Sequence, residues 1–191
     1  VAAQWKKGRL SHGPKQFWGG LALHTRLAVC ITVFLILFGA LLILLLDWNH
    51  GGSLGPLSAP QKVLAALFQS VTLRTAGFQT IPQQDFTDAS ACVGLVLMFV
   101  GGSPMGTAGG MKTTTVGIVF LMTWAYLHGK ESPEVFGRRL RDEDTRTALV
   151  VICCGFAAVF GGTVLLSSSS GASFLDVFYE VVSAVGTVGL T

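Results

Sequence analysis

The sequence predicts an all-α integral membrane fold in which full-length spans alternate with half-length helices that enter the bilayer and turn back. Three observations predict it: a composition too apolar for a soluble domain, two long uncharged runs, and a duplicated segment too short to cross hydrocarbon. Charged residues make up 12% of the chain and hydrophobic ones 51%, against roughly 25% charged in typical soluble chains. Glycine is abundant, at 24 residues, which points to close backbone packing or to irregular backbone in ordered places.

Residues 1–26 are polar and basic, with Lys6, Lys7, Arg9, Lys15 and Arg26 and no acid. Directly before an apolar run, such a segment reads as a cytoplasmic membrane anchor rather than a nucleic-acid site, so no nucleic-acid partner is expected. No cleavable signal pattern is expected here either. Residues 27–46 carry no charge and match the roughly 20 residues that cross a bilayer. Residues 147–166 do the same. Between them, residues 89–127 are apolar at both ends but broken by GGSPMGTAGGMKTTT. The segment 128–146 carries Lys130, Arg138, Arg139, Arg141 and Arg146, whereas 47–88 has only Lys62 and Arg74. Counting Lys and Arg alone puts 1–26 and 128–146 in the cytoplasm and 47–88 outside, in a multi-pass plasma-membrane protein. The alternative, a soluble protein with buried helices, fits poorly with two uncharged runs of that length. The 128–146 loop reads equally as a solvated connection or as a docking segment for a cytosolic regulator.

Cys30, Cys92, Cys153 and Cys154 all fall in apolar spans without zinc-ligand spacing and read as small packing residues. His12, His24, His50 and His128 lie in polar or boundary segments, so no metal site is expected from them.

Residues 58–80 contain a re-entrant segment. Ser58 with Gln61 has capping-box spacing, Pro60 suits a first turn, and the helix should end near Thr72. A helix of that length reaches about 20 Å, little more than half of a hydrocarbon core. It then meets Thr75-Ala76-Gly77-Phe78. The C-terminal segment 173–191 repeats the pattern, with Ser173 and Asp176 at capping spacing. Sliding one segment on the other superimposes Thr75-Ala76-Gly77-Phe78 on Thr187-Val188-Gly189-Leu190, with Gly186 leading in. The chemistry follows from the backbone. Carbonyl oxygens can replace the hydration shell of a potassium ion, glycine permits angles that aim them inward, and the helix C-terminus favours a cation. Thr-Val-Gly also opens a potassium-channel filter sequence. A lone Thr-x-Gly carries little information; two copies, each after a half-length helix, carry far more.

VTLRTAGFQT, SAVGTVGLT and GGSPMGTAGGMKTTT together resemble the Ktr/Trk/HKT superfamily of potassium transporters, the last most like its Ktr branch. The resemblance runs from about residue 22 to the end. It implies helix–pore loop–helix units around a pseudo-fourfold pore, of which 27–127 is the third and 147–191 most of the fourth. The first two units and a last helix are expected elsewhere, so this chain is not expected to close a pore alone. It implies potassium as the transported ion, and the pore reads either as passively conducting or as weakly coupled to sodium, with sodium then a coupling or activating ion. It implies that the backbone oxygens of Thr75, Ala76, Gly77 and Phe78, and of Gly186, Thr187, Val188, Gly189 and Leu190, line the path. It also implies a membrane-embedded homodimer controlled by a cytosolic nucleotide-binding ring.

The broken span supplies the last expectation. Gly101, Gly102, Gly106, Gly109 and Gly110 surround Pro104, with Ser103, Thr107 and Lys112 in the same tract. One reading is GxxxG helix packing through Gly102, Gly106 and Gly110. It leaves Lys112 unexplained, because a lysine at membrane depth usually faces a polar cavity or a partner. The preferred reading is a flexible gate below the filter, which the resemblance also implies. A phosphate loop is excluded because Met111, not Gly, precedes Lys112. Arg74 either pairs with Asp85 or Asp88 at the outer mouth or, as preferred, braces the filter from behind. An alternating-access carrier with discontinuous helices is the competing transport reading. An enzyme is disfavoured, since residues 27–46 and 147–166 contain no Asp, Glu, His or Lys.

Overall fold

The structure, a computed structural model, describes residues 23–102, 110–129, 134–135, 138–139 and 142–191. It is helical apart from a two-residue antiparallel pair, β1 (Glu134–Val135) and β2 (Arg138–Arg139), in the 128–146 loop. The helices are α1 (Leu23–Asp47), α2 (Ala59–Thr72), α3 (Asp88–Phe99), α4 (Thr113–Leu127), α5 (Asp142–Ser169) and α6 (Phe174–Val185). A 3₁₀ turn, Gln83–Asp85, precedes α3.

α1 and α5 are long and apolar enough to cross a membrane, over Thr25–Asp47 and Thr145–Ser169. Both extend beyond the predicted spans, because an apolar helix in lipid must satisfy its backbone internally and gains nothing by stopping early. Only 17% of the most apolar window of α1 and 11% of that of α5 is buried. Core helices of soluble proteins bury most of such a window. Here Phe34, Leu37, Leu45, Phe160 and Leu165 point outward, as lipid-facing residues do. Trp48 closes one end of α1 and Trp124 and Tyr126 lie near the end of α4, positions suited to aromatic rings at a headgroup boundary. The four cysteines depart from expectation. Cys30, Cys92, Cys153 and Cys154 are exposed on this chain rather than packed within it, because each falls on an outward face of its helix.

α2 is half-length as predicted, at 14 residues. Its start is capped by Gln61, whose Oε1 accepts from the Ser58 amide at 3.0 Å and the Ser58 hydroxyl at 2.8 Å. α6, with 12 residues, starts in a similar way: the Ser173 hydroxyl accepts from the Asp176 amide at 3.3 Å and donates to its carboxylate at 2.7 Å. α3 is capped by the Thr87 hydroxyl, which accepts from the Ser90 amide at 3.3 Å. The Thr87 amide in turn donates to the fully buried Asp47 carboxylate at 3.2 Å, which ties the end of α1 to the start of α3.

α1 packs on α2, α3 and α4; α6 packs on α3 and α5. The main core lies around the half-helices and includes Ile43, Ala66, Leu73, Met98, Val177 and Val182. A smaller cluster, Leu27, Ile118 and Ala148, joins the opposite ends of α1, α4 and α5. Close crossings use glycine. A Cβ on Gly39 would lie 2.6 Å from Ser70 Oγ and 2.7 Å from Leu97 Cδ1. The same Ser70 hydroxyl donates to the Ile36 carbonyl at 2.8 Å, so α1 and α2 are bonded where they touch.

Gly39→Val in the full-length protein should therefore wedge α1 off its partners and cost about 1–3 kcal/mol, the usual scale of overpacking. Gly161→Ala, where nothing lies within 4 Å of the added carbon, should leave stability unchanged or slightly raised. Thermal unfolding of the two variants in detergent separates them. Equal melting temperatures would contradict the crossing geometry.

Candidate functional site

Both half-helices end in the same backbone device. Thr75 (φ 69°) and Thr187 (φ 53°) are the non-glycine residues with positive φ among those described, and Gly77 (φ 73°) and Gly189 (φ 80°) follow two residues later. An ordinary strand points successive carbonyls to opposite sides. Alternating the sign of φ turns successive carbonyls towards one side instead. A β-branched residue at positive φ is a true outlier, held only where its surroundings over-determine it. Two such threonines at matching places in a repeat are not an accident of packing.

The surroundings can be named. In the first ribbon the Thr72 carbonyl accepts from the Ala76 and Gly77 amides at 3.1 and 3.3 Å. The Thr72 hydroxyl accepts from the Phe78 amide at 2.8 Å and donates to the Phe78 carbonyl at 2.5 Å. In the second, the Ser183 carbonyl accepts from the Val188 amide at 2.8 Å and the Ser183 hydroxyl from the Leu190 amide at 3.1 Å. Thr72 and Ser183 thus do the same work, and sequence reasoning missed both. A hydroxyl in the last turn of each half-helix was the available sign. It is hidden because the second unit has one more residue between hydroxyl and ribbon, so Thr72 aligns with Ala184.

The two ribbons meet. A Cβ on Gly77 would collide with the Val188 carbonyl oxygen, whereas one on Gly189 would meet nothing within 4 Å. The Val188 and Leu190 side chains are buried while Thr187 and Gly189 are exposed, so the second ribbon is anchored by alternate residues. Ala76 and Phe78 face outward from this chain. The C-terminal end of each half-helix, with its partial negative charge, lies at the start of its ribbon.

Arg74 sits apart from Asp85 and Asp88. Its guanidinium donates to the Thr32 carbonyl at 3.4 Å and the Gly101 carbonyl at 3.3 Å, so it braces the ribbon from behind and holds its charge on α1 and the break. The last turn of α3 touches the second ribbon: a Cβ on Gly186 would lie 3.0 Å from the Met98 carbonyl. The first ribbon is therefore tied to the start of the segment between α3 and α4, and the second lies against the end of α3.

The ends of that segment are pinned together by a parallel bridge between Val100 and Met111, with the Met111 amide donating to Phe99 at 3.1 Å and the Thr113 amide to Gly102 at 3.3 Å. Gly110 has φ 67°, and Gly101 and Gly102 are non-helical. A GxxxG ridge needs a continuous helix, and of the set Gly102, Gly106 and Gly110 the two described members, Gly102 and Gly110, are not helical. Lys112 is the half-buried N-cap of α4. Ser103, Gly106, Thr107 and Gly109 lie outside the described residues. Among the described residues no cluster of His, Cys, Asp or Glu could hold a metal ion, and the ribbons themselves offer backbone oxygen and the hydroxyls of Thr75 and Thr187.

Comparison with known proteins places this arrangement. The model of a cation transport protein family, TrkH, matches residues 2–191. The Ktr system potassium uptake protein B of Vibrio alginolyticus is 34% identical over the whole chain, which covers 40% of that relative. The protein of the same name from Bacillus subtilis is 35% identical over 89% of this chain and 38% of its own length. The potassium/sodium uptake protein NtpJ of Enterococcus hirae is 34% identical over 90% of this chain and 39% of its own. The chain thus spans about two fifths of the length of these three relatives. The crystal structure of the potassium transporter TrkH from Vibrio parahaemolyticus superimposes with a TM-score of 0.62 over 92% of this chain and 37% of that one, at 24% identity, which establishes the shared fold. With two apolar spans, two half-helices and a family match from end to end, this chain belongs to the TrkH family of membrane-embedded cation transport proteins.

Proposed function

We propose that this chain supplies two of the filter ribbons and the gate of a potassium uptake pore. The observation that carries the reading is the pair of ribbons with positive-φ threonine and glycine, side by side at Gly77 and Val188, each at the end of a half-length helix. The backbone oxygens of Thr75, Ala76, Gly77, Gly186, Thr187, Val188, Gly189 and Leu190 are assigned to the potassium path. Phe78 has a lesser part, because its oxygen already accepts from the Thr72 hydroxyl. Potassium is the transported ion, as the names of the relatives support, and the potassium/sodium relative supports sodium as a coupling or activating ion.

The tract 101–112, with Ser103, Gly106, Thr107 and Gly109, acts as the gate. Its support is the bond from Arg74 to Gly101 at the base of the first ribbon and the pairing of Val100 with Met111 that holds the ends of the break together. The chain divides into a basic cytoplasmic segment (1–26), a third unit (27–127), a cytoplasmic loop (128–146) and a fourth unit that begins at 147. The 128–146 loop lies on the side where a cytosolic nucleotide-binding ring would dock, and the whole protein forms a homodimer in lipid.

Three measurements on the full-length protein test this. Gly77→Ser and Gly189→Ser should both lower potassium preference over sodium, since each forces a side chain into the left-handed region at about 1–2 kcal/mol. Gly77→Ser should be the more severe, because its added carbon also meets the Val188 oxygen. Equal, unaltered permeability ratios would contradict the assignment. Thr72→Val and Ser183→Ala each remove a hydroxyl worth about 1 kcal/mol, and both should broaden selectivity while the protein still reaches the membrane. Deleting residues 106–110 should raise flux; a normal or lowered flux at normal expression would show the tract to be packing alone.

A further inference from the structure

The side chains of Gln69, Gln83 and Tyr179 form a buried hydrogen-bonded cluster outside the two ribbons. Gln83, on the 3₁₀ turn where the chain leaves that ribbon, accepts at Oε1 from the Gln69 amide at 2.6 Å and from the Tyr179 hydroxyl at 2.7 Å. Its own amide donates to the Ile81 carbonyl at 3.4 Å. Gln69, Gln83 and Tyr179 are exposed by only 3%, 9% and 9%. Beside them lies a cavity of about 10 Å³ whose wall includes Ser90 and Gly94. Gln69 Oε1 and Ser90 Oγ are buried in that wall without a partner among the described residues.

We propose that this cavity binds one structural water, held between Gln69 Oε1 and Ser90 Oγ, and that the hydrated Gln69–Gln83–Tyr179 clamp positions the ribbons for ion discrimination. The inference rests on the ion-path reading given above. A buried water needs roughly 10–15 Å³ and two or more polar partners, and both are met. The water donates to the Gln69 oxygen and exchanges a hydrogen bond with the Ser90 hydroxyl, so each stranded group gains a partner. The placement gives the clamp its role. Gln69 precedes the ribbon and Gln83 follows it, so their bond closes the loop that contains Thr75–Phe78 and fixes both of its ends. Tyr179 belongs to α6, 96 residues further along the chain, and binds the same oxygen. One acceptor therefore sets the first ribbon relative to the second half-helix.

Tyr179→Phe removes the hydroxyl and keeps the ring. Gly94→Ala puts a methyl at ordinary contact, 3.4 Å from Leu73 Cδ2 and 3.7 Å from Tyr179 Cε2, and takes up the cavity. Each variant is introduced in the full-length protein, and the potassium-to-sodium permeability ratio is measured beside the melting temperature and the amount in the membrane. Both should lower the ratio several-fold from a selective wild type; Ser90→Ala, which adds no bulk, should do the same and serves if Tyr179→Phe is not inserted. A purely structural role would lower the melting temperature and leave the ratio alone, and that result overturns the proposal. A wild-type structure fine enough to show ordered water should have density within hydrogen-bond reach of Gln69 and Ser90; a dry cavity overturns it as well. A wild type without potassium preference would overturn the ion-path reading and this proposal with it, whereas a selective wild type with unshifted variants overturns this proposal alone.

Discussion

A short helix that stops inside a bilayer must hand its last carbonyls, and the chain that follows, to something other than water. That constraint shapes the described part of the molecule. Here the hand-over is made by one side-chain hydroxyl per unit, Thr72 in the first and Ser183 in the second, backed by their own carbonyls. These bonds hold a threonine in a conformation that a β-branched residue otherwise avoids. The strain, of order 1–3 kcal/mol per residue, is carried by packing: Leu73, Val182, Val188 and Leu190 are all buried against the half-helices.

Seen this way, the rest of the fold is support. α1 contributes length and, through Gly39, a close seat for α2. α3 and α4 are one span cut in two, joined where Val100 meets Met111. The cut and the helix end before it serve the two ribbons, since Arg74 reaches Gly101 from one and Gly186 lies against Met98 of α3 from the other. On the proposed reading the gate touches the base of the first ribbon through the bond from Arg74 to Gly101. Arg74 places one donor of each terminal guanidinium nitrogen on a carbonyl, Thr32 and Gly101.

Much of this was legible in the residues. Lipid leaves few choices for an uncharged run, so α1 and α5 could be placed, and their ends differ because the helix outlasts the uncharged run by up to five residues. The half-helices were legible from Ser58, Gln61 and Ser173, whose capping chemistry is local. The ribbons were legible because the repeat matched glycine to glycine. What escaped depends on three dimensions. The Thr72 and Ser183 pins are offset by one residue in the repeat, and the clamp on Gln83 joins residues far apart in sequence. The cysteines were misplaced because apolarity says that a residue avoids water, not whether it meets protein or lipid. Arg74 had two readings in sequence, and only the positions of Thr32 and Gly101 separate them.

The claim beneath all of this is that backbone oxygen from the two ribbons holds a dehydrated potassium ion. Crystals of the full-length protein grown with rubidium in place of potassium test it most directly, through the anomalous scattering of the heavier ion. Peaks between the Thr75–Gly77 and Thr187–Gly189 ribbons, weakened when sodium replaces rubidium, are expected. Peaks only beside carboxylates elsewhere, or none between the ribbons, would contradict it.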